Sequence, residues 1–201
     1  GKIAAEGGHS AWVTSPMARA WVHRLRGQCD AVIVGGQTVR RDNPHLTSHG
    51  QSDRNPLRVV MSRQLNLPEQ ANLWASDSAP TIVFCGTNHD SARRQHLEES
   101  GVEVTVLANL EPLSVLEHLH TKGLRSVLWE CGGTLAASAI AQHCVQKVCA
   151  FIAPKIVGGP NAPTPVGDLG IIRMNQAHPM TIAAVEQIGP DILIQGYLPS
   201  R

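Results

Sequence analysis

The sequence predicts an α/β fold: a mostly parallel central sheet flanked by helices, closed by a C-terminal antiparallel hairpin. Three observations predict it. From Leu57 onward, short apolar runs alternate with helical patterns, the order that builds a parallel sheet with helices on its faces. Ala31-Val32-Ile33-Val34 is continuously apolar, as a buried strand requires. Near the end, two strand-like stretches, 181–187 and 192–197, are joined through Gly189-Pro190-Asp191, a turn composition.

Taken in order, Gly1 to Ala5 reads as the tail of a strand, followed by a Gly-bearing loop. Ser15 can cap a helix over 17–27, with Pro16 at its first position, where no N–H is needed. That helix sets Arg19, His23 and Arg26 on one face: either a solvated stripe or two arginines able to hold a phosphate. The strand at 31–34 runs into Gly35-Gly36 and a short helix that Asn43-Pro44 stops. Strands follow at Leu57–Met61, Thr81–Cys85, 102–107, 126–129 and Lys147–Ile152, with helices over 90–99, 112–121 and 134–143. Residues 154–165, rich in Gly and Pro, form a stiff loop, and with no repeat or boundary the expectation is a single domain over residues 1–201.

The stretch Val127-Leu128-Trp129-Glu130-Cys131-Gly132-Gly133-Thr134-Leu135-Ala136 carries the chemistry. An apolar strand ends in one carboxylate, passes two glycines and re-emerges as a helix former. In open α/β sheets ligands bind at that carboxyl edge, where glycines allow close backbone approach and a helix N-terminus favours phosphate. Gly35-Gly36 repeats the device. Packing alone also explains a Gly-Gly pair after a strand, so that reading stands beside the functional one.

The chain has 201 residues, 42% hydrophobic and 16% charged, as in an ordinary globular protein. A net charge of +1 argues against a nucleic-acid partner. No apolar run reaches the length of a membrane span, and Gly1-Lys2-Ile3-Ala4 does not read as a signal or transit sequence. Five cysteines (Cys29, Cys85, Cys131, Cys144, Cys149), odd in number and mostly in apolar runs, suit reduced thiols, and none has zinc spacing. No G-x-G-x-x-G, P-loop, G-x-S-x-G or H-E-x-x-H occurs.

Longer stretches resemble one family. They are Gly1-Lys2-Ile3-Ala4, Ser10-Ala11-Trp12-Val13-Thr14-Ser15-Pro16, Arg26, Asp30-Ala31-Val32-Ile33-Val34-Gly35 and Thr38-Val39-Arg40-Arg41-Asp42-Asn43-Pro44-His45-Leu46-Thr47. The Trp129–Ala136 segment and Ala153-Pro154-Lys155-Ile156-Val157-Gly158-Gly159 complete the set, in order, as far as about Ile194. The chain resembles the reductase domain of bacterial and plant riboflavin biosynthesis, which has a dihydrofolate-reductase-like fold. The wording around 65–75 and 165–170 is closer to plant and cyanobacterial members.

The resemblance implies NADPH-dependent reduction of 5-amino-6-(5-phosphoribosylamino)uracil to its ribitylamino counterpart. The ribose opens to an imine and hydride reaches the sugar carbon. Such a reaction needs donor and acceptor held close rather than a protein nucleophile. By resemblance, Trp12, Thr38, Asp42, Gly132, Gly133, Thr134, Leu135, Ala136, Ala137 and Ser138 contact the cofactor. Ser10, Arg26, Leu46, His49 and Glu130 contact the phosphorylated pyrimidine, with Arg26 as a phosphate or uracil anchor. Glu130 also assists the accompanying proton. Arg40 and Arg41 are placed to meet a 2′-phosphate. Simpler roles compete: Asp42 capping a turn, Trp12 in the core, Arg26 paired with Asp30. Two functional rivals also stand, a non-catalytic nucleotide-binding relative and a reductase of the same fold acting on another heterocycle.

The chain departs from the family in three respects. The first family strand, upstream of Gly1, and the deaminase domain are absent from these residues. Where many bacterial members carry an arginine for the substrate phosphate, Leu46-Thr47 runs into Ser48-His49, so His49 or Arg54 must serve. The expected partners are a second copy of the chain and a fused or separate deaminase, with no nucleic acid and no membrane. The expected location is the cytoplasm, or the plastid stroma in a plant.

Overall fold

A computed structural model describes residues 1–199. The chain divides into two compact units: His23–Gly132, and Gly1–Val22 together with Gly133–Arg201.

The His23–Gly132 unit is built on a five-stranded parallel sheet. Its strands are β1 (Ala31–Gly35), β2 (Leu57–Met61), β3 (Thr81–Cys85), β4 (Glu103–Val106) and β5 (Val127–Trp129), in the spatial order β4-β3-β2-β1-β5. Ala31 faces Leu57 on one side and Val127 on the other. Val32, Val34, Val60, Val83 and Cys85 are buried with Leu46, Leu65, Leu73 and Leu97, which explains why β1, β2 and β3 read as mainly apolar runs, Arg58 on β2 excepted.

Helix α2 (Gly36–Asp42) stops where the sequence says it must: Asn43 turns left-handed at φ 40° before Pro44, and its N–H returns to the carbonyl of Val39. Helix α3 (Ser91–Glu99) starts on Asp90, whose carboxylate accepts the N–H groups of Ala92 and Arg93. Helix α4 (Pro112–Thr121) opens on a proline and buries Val115 and Leu119. Arg58 on β2 is fully buried, and its guanidinium donates to the carbonyls of Asn72, Ala75 and Ala79 rather than to a carboxylate.

The second unit holds an antiparallel sheet, β6 (Lys147–Ile152), β7 (Thr181–Ile188) and β8 (Asp191–Tyr197), in the order β6-β8-β7. The expected hairpin is present, turning at Gly189 (φ 61°). That positive φ favours glycine, while the Met17 sulfur, 2.7 Å from where a Cβ would lie, ends a flexible, exposed side chain that can move aside. The hairpin does not close the parallel sheet: β8 pairs with β6, Lys147 facing Tyr197. An apolar run identifies a strand but not its partner, and that is where the sequence reading stopped short.

Helix α5 (Gly133–Ala141) also belongs to this unit, as do the first turns of α1 (Pro16–Gln28). Ser15 caps α1, its hydroxyl accepting the N–H of Ala18 at 3.3 Å, while its own N–H donates to the buried Asp191 at 2.8 Å. The expectation of a strand over Gly1 to Ala5 is corrected: those residues form none. Ile3 donates to the carbonyl of Pro163 at 2.9 Å. Pro163 and Pro165 have no N–H to return, so no ladder extends from that bond. Among the described residues, no helix is long and apolar enough to cross a membrane.

Candidate active site

Glu130 follows directly on β5, and its N–H donates to the carbonyl of Ile33 at 3.0 Å, extending the alignment of β5 with β1. Its carboxylate is therefore set at the carboxyl edge of the sheet. Arg26, in the last turn of α1, meets it as a fork: Nε donates to Oε2 at 2.8 Å and Nη2 to Oε1 at 2.6 Å. The third nitrogen, Nη1, donates to the carbonyl of Thr47 at 2.9 Å. The Arg26 side chain is 9% exposed and that of Glu130 32%, so the cation is buried while the carboxylate still reaches outward. The Arg26–Asp30 pairing weighed from sequence does not form.

The loop held by Arg26 is constrained. Leu46 is buried with φ 54° and His49 has φ 49°, both left-handed and neither glycine. Buried Ser48 ties the loop down, its N–H and hydroxyl donating to Asn55 Oδ1 at 2.8 and 2.9 Å. His49 stacks on His23 and meets His45 edge-on. Burial, Arg26 and His45 hold the His49 imidazole below its usual pKa, against the pull of Glu130.

Arg54, the other cation considered for the phosphate, is engaged: Nε donates to the carbonyl of Gly27 and Nη2 to Asp30. Asp30 also accepts the N–H groups of Arg125 and Ser126 and the Ser126 hydroxyl, and these donors bring its carboxyl down to about 2. Burial pushes the Cys131 thiol up to about 12.

Thr38 is half-buried in the first turn of α2, which begins without a side-chain cap, and Asp42 is exposed at its end. Arg40 and Arg41 are exposed, and Arg40 donates to the carbonyl of Asn66 at 2.5 Å. Asn66, with Gln64 after β2 and Asn88 after β3, lines a polar recess of about 450 Å³. The recess lies at the edge where parallel sheets take ligands. A Cβ on Gly132 would meet nothing within 4 Å.

In the second unit, Ser10 and Trp12 are both exposed. Trp12 is 72% exposed and left-handed at φ 60°, which removes the core reading. Arg19 lies over its ring at 4.4 Å, and Lys155 donates to its carbonyl. Gly133 answers to packing: a Cβ there would lie 2.7 Å from the carbonyl oxygen of Thr164. Thr134 is exposed, Leu135, Ala136 and Ser138 are half-buried, and Ala137 is buried. His45 is the residue that the sequence reading left out of the site. It lies inside the resembling stretch, but nothing in its spacing pointed to His49.

The family described as the RibD C-terminal domain matches residues 1–194. The chain belongs to it. The riboflavin biosynthesis protein RibD of Synechocystis is 57% identical over 198 residues, covering 98% of this chain and 54% of that protein. The chloroplastic riboflavin biosynthesis protein PYRR of Arabidopsis thaliana is 51% identical over 98% of this chain and 33% of its own length. This RibD C-terminal domain thus spans about half or less of these relatives. Among solved structures, a diaminohydroxyphosphoribosylaminopyrimidine deaminase/5-amino-6-(5-phosphoribosylamino)uracil reductase from Thermotoga maritima superposes with a TM-score of 0.79 at 26% identity. That match covers 99% of this chain and 53% of the other. The fold is the dihydrofolate-reductase-like fold of RibD reductase domains, and membership implies a nucleotide cofactor.

Proposed function

We propose that this RibD C-terminal domain reduces 5-amino-6-(5-phosphoribosylamino)uracil to the ribitylamino product of riboflavin biosynthesis, with NADPH as donor. The observation that carries the reading is the Arg26–Glu130 fork: a carboxylate at the edge of a parallel sheet, oriented by a buried guanidinium and still open on one side. The chain's groups suit a phosphorylated dinucleotide. Gly132 leaves its backbone approachable, and the exposed Arg40 and Arg41 in the last turn of α2 offer charge to a 2′-phosphate.

When bound, NADPH supplies the hydride. The chain's part is to bind, orient and move a proton. By the resemblance, Thr38, Asp42 and Gly132 are assigned to the cofactor, as are Trp12, Gly133, Thr134, Leu135, Ala136, Ala137 and Ser138. Ser10, Leu46, His49 and Glu130 are assigned to the substrate. Arg26, with Nε and Nη2 on Glu130 and Nη1 on Thr47, acts by positioning Glu130 rather than by anchoring a phosphate. Since Arg54 is engaged by Asp30, the phosphate falls to His49. Glu130 takes the sugar or pyrimidine end on the lone pairs Arg26 leaves open, and handles the proton that accompanies hydride addition.

A second copy of the chain is part of the proposal. Ile182 and Val185 on β7 are 59% and 61% exposed, and Ile172 and Met174 are more exposed still, an apolar surface that suits association. A fused or separate deaminase supplies the substrate, in the cytoplasm or the plastid stroma. Loss of NADPH absorbance on adding the phosphoribosylaminouracil supports the reading. Cofactor binding without turnover points to a non-catalytic module, and turnover with other imines alone points to another substrate.

A further inference from the structure

Three imidazoles meet in the His23–Gly132 unit. The rings of His23 and His49 stack with centroids 4.2 Å apart and planes at 27°. His45 approaches His49 edge-on at 6.0 Å and 82°. The titratable and charged groups that act on His49 are Arg26, His45 and Glu130. The loop that carries it is locked by Ser48 on Asn55 and by Arg26 on the Thr47 carbonyl, at the cost of left-handed backbone at Leu46 and His49. Arg26 and Arg54 already hold carboxylates.

We infer that His49, positioned by His23 and His45, is a proton-coupled anion subsite that takes up a proton as the substrate's 5′-phosphate binds. The inference rests on the reductase reading for the identity of that phosphate, while the geometry concerns any phosphate monoester. Two stacked imidazoles tolerate one another when at least one is neutral; two imidazoliums at this spacing repel. His49 is exposed at the surface, and its partial desolvation together with Arg26 and His45 favours the neutral imidazole. A phosphate dianion within about 4–6 Å reverses that preference. Binding then draws one proton from solution, and affinity weakens as pH rises. A permanent arginine charge at this position would give no such coupling.

The test is calorimetry of the full chain with millimolar ribose 5-phosphate at pH 7.5, in buffers of different ionisation enthalpy, beside the pH profile of KM for the phosphoribosylaminouracil. The expected result is net uptake of up to about one proton per phosphate, with KM rising by up to about tenfold per pH unit above neutrality while kcat moves less. His49→Arg should abolish the uptake and flatten the KM profile. His23→Phe, which keeps a ring in the stack, should reduce the uptake. His49→Asn, at ease in the left-handed region, removes the ring with the fold kept and should lose ribose 5-phosphate binding. Absence of ribose 5-phosphate binding, binding without proton uptake, or the same KM slope in His49→Arg overturns the subsite. Proton uptake without NADPH turnover at any pH upholds the subsite and defeats the reductase reading instead.

Discussion

Arg26 and Glu130 lie 104 residues apart in the chain, yet each carboxylate oxygen of Glu130 receives one N–H of the same guanidinium. Neither residue can be altered without disturbing the other. Glu130→Gln leaves a buried arginine facing an amide that accepts on one side only. We expect turnover to fall about 10²–10⁴-fold, the range of a lost general acid or base, and stability to drop by about 1–2 kcal/mol. Arg26→Lys keeps the charge but cannot span two oxygens, so kcat should fall with KM for NADPH little changed. Steady-state kinetics with urea unfolding checks both, and near-normal turnover in a folded Glu130→Gln protein removes Glu130 from the chemistry.

The two glycines after Glu130 should separate. Gly133→Ala drives a Cβ to within 2.7 Å of the Thr164 carbonyl oxygen and should cost about 1–3 kcal/mol, the range for overpacking. Gly132→Ala has open space and should leave the melting temperature nearly unchanged while weakening NADPH binding. Thermal melts and cofactor titration of the two variants give the comparison, and equal loss of stability would contradict it.

Acid should weaken the His23–Gly132 unit through Asp30. Its folded carboxyl titrates at about 2 against an ordinary 3.8, so the unfolded chain binds more protons between those values. The stabilisation is fully present above about pH 4 and is lost as pH falls toward 2. Asp30→Asn removes acceptors for Arg125, Ser126 and Arg54. It should destabilise the protein by about 1–2 kcal/mol at neutral pH and make stability less steep between pH 4 and 2. Urea midpoints across that range decide it.

Cys131 sits beside Glu130 and should nonetheless be inert. With burial holding its thiol up near 12, almost no thiolate exists at pH 8. Iodoacetamide followed by peptide mass analysis should find Cys131 unmodified in the folded protein and modified in urea. Rapid labelling of folded protein would show that its surroundings are more open than this.

Much of the fold was legible because β1, β2 and β3 are buried on both faces, so 31–34, Leu57–Met61 and Thr81–Cys85 read as mainly apolar runs, Arg58 excepted. Asn43-Pro44 marked the end of α2 for a local reason, and local reasons survive folding. What escaped was pairing over distance. Lys147–Ile152 reads as a strand, but nothing in it says that its partner is β8. Gly1 to Ala5 failed as a strand because the proline-rich segment beside it cannot return hydrogen bonds. In the candidate site, Glu130 was legible as a carboxylate at a strand end, but its union with Arg26 was not. Left-handed backbone at Trp12, Leu46 and His49 carried no warning, since none is glycine or asparagine.

The proposed hydride transfer from NADPH to the opened sugar of the phosphoribosylaminouracil can be followed by turnover with NADPH deuterated at the transferring position of the nicotinamide. The expected product is one mass unit heavier, with the deuterium on the first carbon of the ribityl chain. A product without deuterium, or with it on the pyrimidine ring, would contradict it.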